Sequence, residues 1–146
     1  MAEFLVSRAL GVTDDVRNDW EDFDLTTEDG IKIEVKSSAY VQAWKQKKPS
    51  TPSFGIGKTL PTWDYSSETR QRYADIYVFC LLAHLDKETI NPMDIGQWEF
   101  YALRTDEIEK EFGNAKSISL KSVRNRSKQY SYSELKEGIK ALASRS

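Results

Sequence analysis

The stretch Phe-Asp-Leu-Thr-Thr-Glu-Asp-Gly-Ile-Lys-Ile-Glu-Val-Lys, residues 23–36, predicts a β-hairpin around which the fold is built. In its second arm Ile31, Ile33 and Val35 alternate with polar residues, which is the period-two pattern of a half-buried strand. The apolar rows of both arms must share one face, because a one-residue slip would turn one row to water. A three-residue turn that ends at Gly30, in the left-handed conformation, gives that match, whereas a two-residue turn does not.

This register places Asp24 opposite Glu34 on the polar face, with Lys36 one step further along. Two carboxylates that face each other across a strand pair destabilise it, so a compensating divalent cation is expected. Carboxylate oxygens suit Mg²⁺ or Mn²⁺. A lysine beside such an ion can orient or deprotonate an attacking water and can stabilise negative charge in the transition state.

An Asp, a hairpin and then Glu-Val-Lys resemble the motif of the PD-(D/E)xK nuclease superfamily, which includes many restriction endonucleases and the archaeal Holliday-junction resolvases. The motif residues map onto Asp24, Glu34 and Lys36, while Phe23 stands where the motif has its proline. The resemblance continues through an N-terminal helix, the run at residues 34–44 and a later apolar strand, and so covers most of the chain.

The resemblance implies Mg²⁺-dependent hydrolysis of phosphodiester bonds in DNA, with Mn²⁺ able to substitute. Asp24 and Glu34 would bind the metal, together with the backbone carbonyl of Val35. Lys36 would position and activate the water.

The resemblance also suggests two accessory residues. Related nucleases often place a glutamate on the first helix near the metal, which points to Glu3. They often carry a glutamine soon after the lysine, which points to Gln42. For Glu3 a solvated side chain in the first helical turn, favoured by the helix dipole, is an open alternative.

Within the superfamily a restriction-type endonuclease is our first interpretation. A structure-selective, Holliday-junction-like resolvase comes next. A catalytically silent DNA-binding or assembly module of the same fold is a third interpretation. An ordinary solvated strand face also competes, because Glu-x-Lys triplets occur by chance in most proteins.

The composition fits one soluble domain spanning residues 1–146, with 39% hydrophobic residues and no apolar run long enough for a membrane span. Met1 leads straight into amphipathic sequence, so no signal peptide is expected. The single cysteine, Cys80, rules out an internal disulfide and fits a reducing cytoplasm. With one cysteine and one histidine, a zinc site of the usual ligands is not expected.

The charge is distributed unevenly along the chain. A net charge of −2 argues mildly against nucleic-acid binding. However, acids crowd into the first third, and from Lys116 onward basic residues outnumber acidic ones. Such a distribution is compatible with gripping a DNA phosphate backbone on one side.

The remaining sequence predicts an α/β fold: a restriction endonuclease-like mixed β-sheet of four to five strands flanked by helices. The predicted elements are a helix over 2–12, a buried central strand over Asp75–Leu85, a strand over Trp98–Arg104, a helix over Thr105–Phe112, a strand over Ser117–Val123, and a last helix opened by a capping box at Ser131–Glu134. Cys80 is expected in the core, and His84 on the surface.

The segment 45–67 is rich in Lys, Pro, Ser, Thr and Gly and is predicted to be a long loop. Its aromatic residues Phe54, Trp63 and Tyr65 suggest a flap that stacks on a base. Anchoring of the loop to the core explains them equally well.

A homodimer is expected, because two sites related by a two-fold axis most simply cut both strands of a duplex. The sequence leaves open whether a methyltransferase or helicase partner exists.

Overall fold

The computed structural model describes residues 2–11, 25–27, 29–39, 52–58, 72–83, 88, 89, 91 and 93–144. The helices and strands follow in the order α1 (Ala2–Leu10), β1 (Leu25–Thr26), β2 (Lys32–Ala39), β3 (Ser53–Gly55), β4 (Ile76–Leu82), β5 (Trp98–Arg104), α2 (Thr105–Phe112), β6 (Ser117–Ser119), α3 (Leu120–Arg126) and α4 (Leu135–Ala143). Among these residues, four strands form a mixed sheet in the order β1-β2-β4-β5, while β3 and β6 form an antiparallel ribbon. The predicted α/β fold is confirmed.

The hairpin of β1 and β2 has the register that its apolar pattern predicts. Leu25 lies opposite Ile33. Gly30 has a φ of 82°, in the left-handed region that favours glycine. The Gly30 N–H donates to the carbonyl oxygen of Thr27 at 2.9 Å, and the Thr27 N–H donates to the carbonyl oxygen of Ile31 at 3.0 Å. The apolar rows of the two strands therefore share one face, as predicted.

Strand β4 is the centre of the sheet. All seven of its residues are buried, which its continuous apolar sequence predicts. It runs parallel to β2 and antiparallel to β5, so that Lys36 lies beside Phe79 and Phe79 beside Tyr101. Neighbours in register point to the same side of a sheet. We call the side with these three residues the second face, and the opposite side, with Ile33 and Val35, the first face.

Helices α1 and α4 cover the first face. The core there includes Val6, Leu10, Ile33, Val35, Val78, Cys80, Phe100, Leu135, Ile139 and Leu142. The predicted capping box precedes α4: the Ser131 hydroxyl accepts the Glu134 N–H at 3.2 Å, and the Glu134 carboxylate accepts the Ser131 N–H at 3.0 Å. Cys80 is fully buried, as predicted, and burial raises the pKa of its thiol. It is a core residue.

The β3–β6 ribbon, α2 and α3 cover the second face. Phe54 and Ile118 lie opposite each other in the ribbon, and both are almost fully buried. The Phe54 ring meets the Phe79 ring edge-on, with 5.0 Å between the centroids. Ile108 of α2 and Val123 of α3 belong to the same core cluster. The sheet is therefore enclosed on both sides by separate apolar layers.

The structure corrects two predicted elements. The predicted loop over 45–67 contains strand β3, which exists because it pairs with the distant β6. The strand predicted over Ser117–Val123 ends at Ser119, whose hydroxyl accepts the Ser122 N–H at 3.2 Å and caps α3. Helix α2 has its predicted bounds.

Several predictions fall on residues that lie outside the described part of the chain. These are the end of the first helix at Val12, the acidic connection at 13–21, the aromatic residues Trp63 and Tyr65, and His84. Within the described part, no helix has the length and apolar character needed to cross a membrane.

Candidate active site

Strand β2 displays Glu34 and Lys36 on the second face. Ile33 and Val35 are buried against the helices of the first face, with 0% and 8% of their surface exposed. Because side chains alternate along a strand, the residues between and after them must point the other way. The side chains of Glu34 and Lys36 are 21% and 32% exposed. They are therefore partly sheltered but open to solvent.

The two side chains form an ion pair, which we call the motif pair. The Lys36 Nζ lies 3.4 Å from the Glu34 Oε1. A partly exposed pair of this kind contributes little to stability, on the order of 0–1 kcal/mol. Its importance is chemical, because it holds an ammonium group next to a carboxylate oxygen on an accessible surface.

The third motif residue, Asp24, lies outside the described residues, as does Gln42. The side chain of Glu3 is likewise outside what the structure describes. Val35 turns its side chain into the first face, so only its backbone could take part in metal binding. The structure thus brings together Glu34, Val35 and Lys36, while the placement of Asp24, Glu3 and Gln42 stays a prediction.

The donor chemistry of the motif pair suits a hard divalent cation. The Glu34 carboxylate supplies oxygen atoms, which Mg²⁺ and Mn²⁺ prefer. Mg²⁺ usually needs only one or two protein carboxylates, with waters and substrate phosphate completing its shell. Among the described residues no group of three or more His, Cys, Asp or Glu side chains could hold a metal ion. Of the two predicted carboxylate donors, the structure describes Glu34, and the part of Asp24 stays a prediction.

Aromatic side chains form the surroundings of the motif pair. Glu34 lies in register with Tyr77, and Lys36 with Phe79. Phe54 covers Phe79 from the ribbon and is only 1% exposed, so it anchors its segment to the core and is not available to stack on a base. The anchoring interpretation of this residue is the correct one.

A second polar cluster lies on the second face and was not predicted from the sequence. The Tyr101 hydroxyl donates to the Glu99 carboxylate and accepts from the Arg124 Nε at 3.0 Å. Arg124 also donates from Nη2 to the Glu99 Oε1 at 3.0 Å. Burial, followed by the hydrogen bond to Glu99, raises the pKa of Tyr101, which keeps its hydroxyl protonated at neutral pH.

The alternation of β5 could have placed Glu99 and Tyr101 on one face, because they are two residues apart. It could not have identified Arg124, which comes from another element. The hydrogen bonds to Tyr101 and Glu99 raise the pKa of Arg124 still further, so the cluster carries a permanent cation.

A cleft of about 670 Å³ lies at the end of the sheet where β4 begins, and neither Glu34 nor Lys36 lines it. Five of the seven charged side chains that line it bond to one another. Glu109 accepts from Arg72 at 2.8 Å and lies 3.4 Å from Lys58, while Arg104 donates to Asp106 at 2.9 Å. These bonds hold elements of the fold together, so we interpret the cleft as structural.

The motif pair lies in the part of the chain that matches the model of a known protein family. Residues 1–122 match the family model described as bacteriophage T4 endonuclease IV. The matched segment contains every predicted site residue: Glu3, Asp24, Glu34, Val35, Lys36 and Gln42. No curated protein sequence matches the chain.

Proposed function

Because the chain belongs to the bacteriophage T4 endonuclease IV family, we propose that it is a metal-dependent endonuclease that hydrolyses phosphodiester bonds in DNA. The match over residues 1–122 is the observation that supports the endonuclease activity, because it covers most of the chain and all of the candidate site, while the metal dependence rests on the chemistry of the predicted site. The motif pair on β2 supports it independently, through its exposure and chemistry.

We assign the reaction to a PD-(D/E)xK type of site. Glu34 and Asp24 would hold a divalent cation, with the carbonyl oxygen of Val35 as a further donor. Bound there, Mg²⁺ would act as a Lewis acid on the phosphate and lower the pKa of a coordinated water.

The chain's own contribution to the chemical step comes from Lys36. Its ammonium group lies 3.4 Å from a Glu34 oxygen, so a water beside that carboxylate is within its reach. Lys36 would orient the water whose oxygen forms the new bond to phosphorus as one ester bond breaks. Its charge would also stabilise the additional negative charge on the phosphate in the transition state.

The biological role that we propose first is that of a restriction-type nuclease acting as a homodimer. An adjacent DNA methyltransferase gene would support the restriction role. Sedimentation at micromolar concentration with DNA would test the dimer. A strict monomer would indicate a nicking enzyme or a subunit of a larger assembly.

The activity is tested by incubating the purified protein with supercoiled plasmid, linear duplex and single-stranded DNA in Mg²⁺, Mn²⁺ or EDTA. We expect cleavage in either metal and none in EDTA. Cleavage that persists in EDTA would refute metal dependence. Binding of DNA without cleavage under any condition would identify a silent DNA-binding module.

The metal site is tested by titrating Mn²⁺ into the protein in a calorimeter. Binding should be measurable for the parent and should vanish in both Asp24→Ala and Glu34→Ala. Unchanged binding in Asp24→Ala would remove Asp24 from the site.

A further inference from the structure

The segment from residue 114 to residue 133 contains no aspartate or glutamate, although the chain as a whole has a net charge of −2. It carries five cationic residues, and all five are exposed. Four of them lie on or next to β6 and α3, and we call these four the basic surface: Lys116, Lys121, Arg124 and Arg126. The fifth, Lys128, lies 4.9 Å from the ring centre of Tyr130, which belongs to the core of the first face. So strong a local excess of positive charge predicts an anionic partner.

The basic surface lies on the same side of the sheet as the motif pair. Strand β6 pairs with β3, whose Phe54 packs on Phe79 of the second face. Leu120 and Val123 of α3 belong to the same core cluster. Helix α4, which carries the exposed Lys136 and Lys140, covers the opposite face.

Part of this charge is not neutralised by the protein. Arg124 pairs with Glu99 at 3.0 Å, and Arg126 lies 3.4 Å from Glu111. Among the described residues, neither Lys116 nor Lys121 forms an ion pair with a carboxylate. An uncompensated lysine on an exposed surface is available to replace the counterions of a phosphate backbone.

Arg124 contributes a cation whose orientation is fixed by hydrogen bonds. Its Nε donates to the Tyr101 hydroxyl and its Nη2 to Glu99, so the guanidinium is held in one orientation. Arginine has five N–H donors in a rigid fork. The donors not used by these two bonds remain for a ligand, and the side chain is 42% exposed. An arginine fixed in advance binds a phosphate with a smaller loss of conformational entropy.

We propose that the basic surface binds the phosphate backbone of the DNA substrate and directs it toward Glu34 and Lys36, on the side of the sheet that the ribbon, α2 and α3 cover. This inference rests on the proposed function and specifies which side of the protein the substrate occupies. Lys116 and Lys121 supply charge, and Arg124 supplies an oriented contact. Tyr101 is a positioning residue that acts through Arg124.

The experiment measures DNA binding apart from cleavage, by fluorescence anisotropy of a labelled duplex in EDTA over a range of salt concentrations. Lys116→Gln/Lys121→Gln should weaken binding on the order of tenfold or more at 0.1 M salt. The slope of log affinity against log salt should fall by about 1.8, or about 0.9 for each lost phosphate contact. The matched control, Lys136→Gln/Lys140→Gln, removes the same charge from the opposite face and should leave the slope unchanged.

Arg124 and Tyr101 are tested in the same assay. Arg124→Gln should weaken binding more than Arg124→Lys, which keeps the charge but not the fork. Tyr101→Phe should weaken binding severalfold without changing the salt slope, because it removes no charge. If Tyr101→Phe lowers only the denaturation midpoint, the positioning role is wrong.

The outcomes separate this proposal from the proposed function. If the parent cleaves DNA and the two double-lysine variants weaken binding equally, or neither weakens it, the DNA-binding role of the basic surface is wrong while the nuclease assignment stands. If the parent neither binds nor cleaves any DNA, both are overturned.

Discussion

Replacement of Arg72 by methionine should destabilise the protein by about 2–7 kcal/mol. The Arg72 side chain is fully buried. It donates to the carbonyl oxygens of Ile56 at 2.7 Å, Gly113 at 2.8 Å and Ala115 at 3.2 Å, and to the Glu109 carboxylate at 2.8 Å. These acceptors flank β3 and β6, so one side chain ties the ribbon to α2.

The magnitude follows from what each acceptor loses. The bond to Ile56 is buried, and an unsatisfied buried carbonyl costs about 1–3 kcal/mol. The bonds to Gly113 and Ala115 are only partly buried, so water can hydrogen-bond to the two carbonyl oxygens in the variant. About 0.5–1.5 kcal/mol is therefore lost at each. Glu109 is 38% exposed, which limits the loss of its ion pair to about 1 kcal/mol or less.

Chemical denaturation followed by tryptophan fluorescence measures this loss, and the melting temperature should fall by roughly 10 °C. The control is Arg126→Met, since Arg126 is 35% exposed and lies 3.4 Å from Glu111. That variant should lose about 1 kcal/mol or less. Equal losses in the two variants would refute the view that Arg72 holds the ribbon in place.

Three further predictions follow from packing and charge. Gly138→Ala should be destabilising although alanine favours helices by about 1 kcal/mol, because its Cβ would clash with the buried Tyr130 ring; denaturation midpoints decide this. Cys80 should not react with a thiol reagent until the protein unfolds, and rapid labelling of the native protein would contradict its burial. Burial raises the pKa of Glu109, but its bonds to Arg72 and then Lys58 lower that pKa overall. The contribution of Glu109 to stability should therefore be present above pH 4.5 and should be lost as the pH falls through its lowered pKa in the folded protein. The free energy of unfolding of Glu109→Gln should therefore fall less than that of the parent between pH 5 and pH 3. An equal fall in both proteins would contradict this.

Much of the fold was predictable because local patterns determine it. The continuous apolar run of β4 can satisfy its burial only at the centre of a sheet, and it lies there. The turn at Gly30 and the matched apolar rows determined the register of β1 and β2. The capping box at Ser131 and Glu134 located the start of the last helical segment.

The elements that were missed depend on contacts between distant residues. Ser53–Gly55 is too short to be recognised as a strand, and it becomes one through pairing with Ser117–Ser119. Ser119 ends that strand because its side chain caps a helix, an alternative that the alternating pattern did not distinguish. Arg72 has no sequence signature at all, since its acceptors come from two distant segments, one at Ile56 and the other at residues 109–115.

The candidate site was predictable in part for the same reason. Glu34 and Lys36 are two residues apart on one strand, so alternation alone places them together. The Glu99–Tyr101–Arg124 cluster combines β5 with α3, and only the fold brings it together.

The most direct test of the central claim compares Lys36→Ala with Lys32→Ala in single-turnover DNA cleavage. Lys32 lies on the same polar side of β2 but on the turn side of Glu34, and it carries the same charge. Lys36→Ala should slow the chemical step on the order of a hundredfold or more, while DNA affinity changes only modestly. Lys32→Ala should cleave at close to the parent rate. If both variants cut DNA as fast as the parent, the motif pair is an ordinary solvated strand face and the assignment of the active site is wrong.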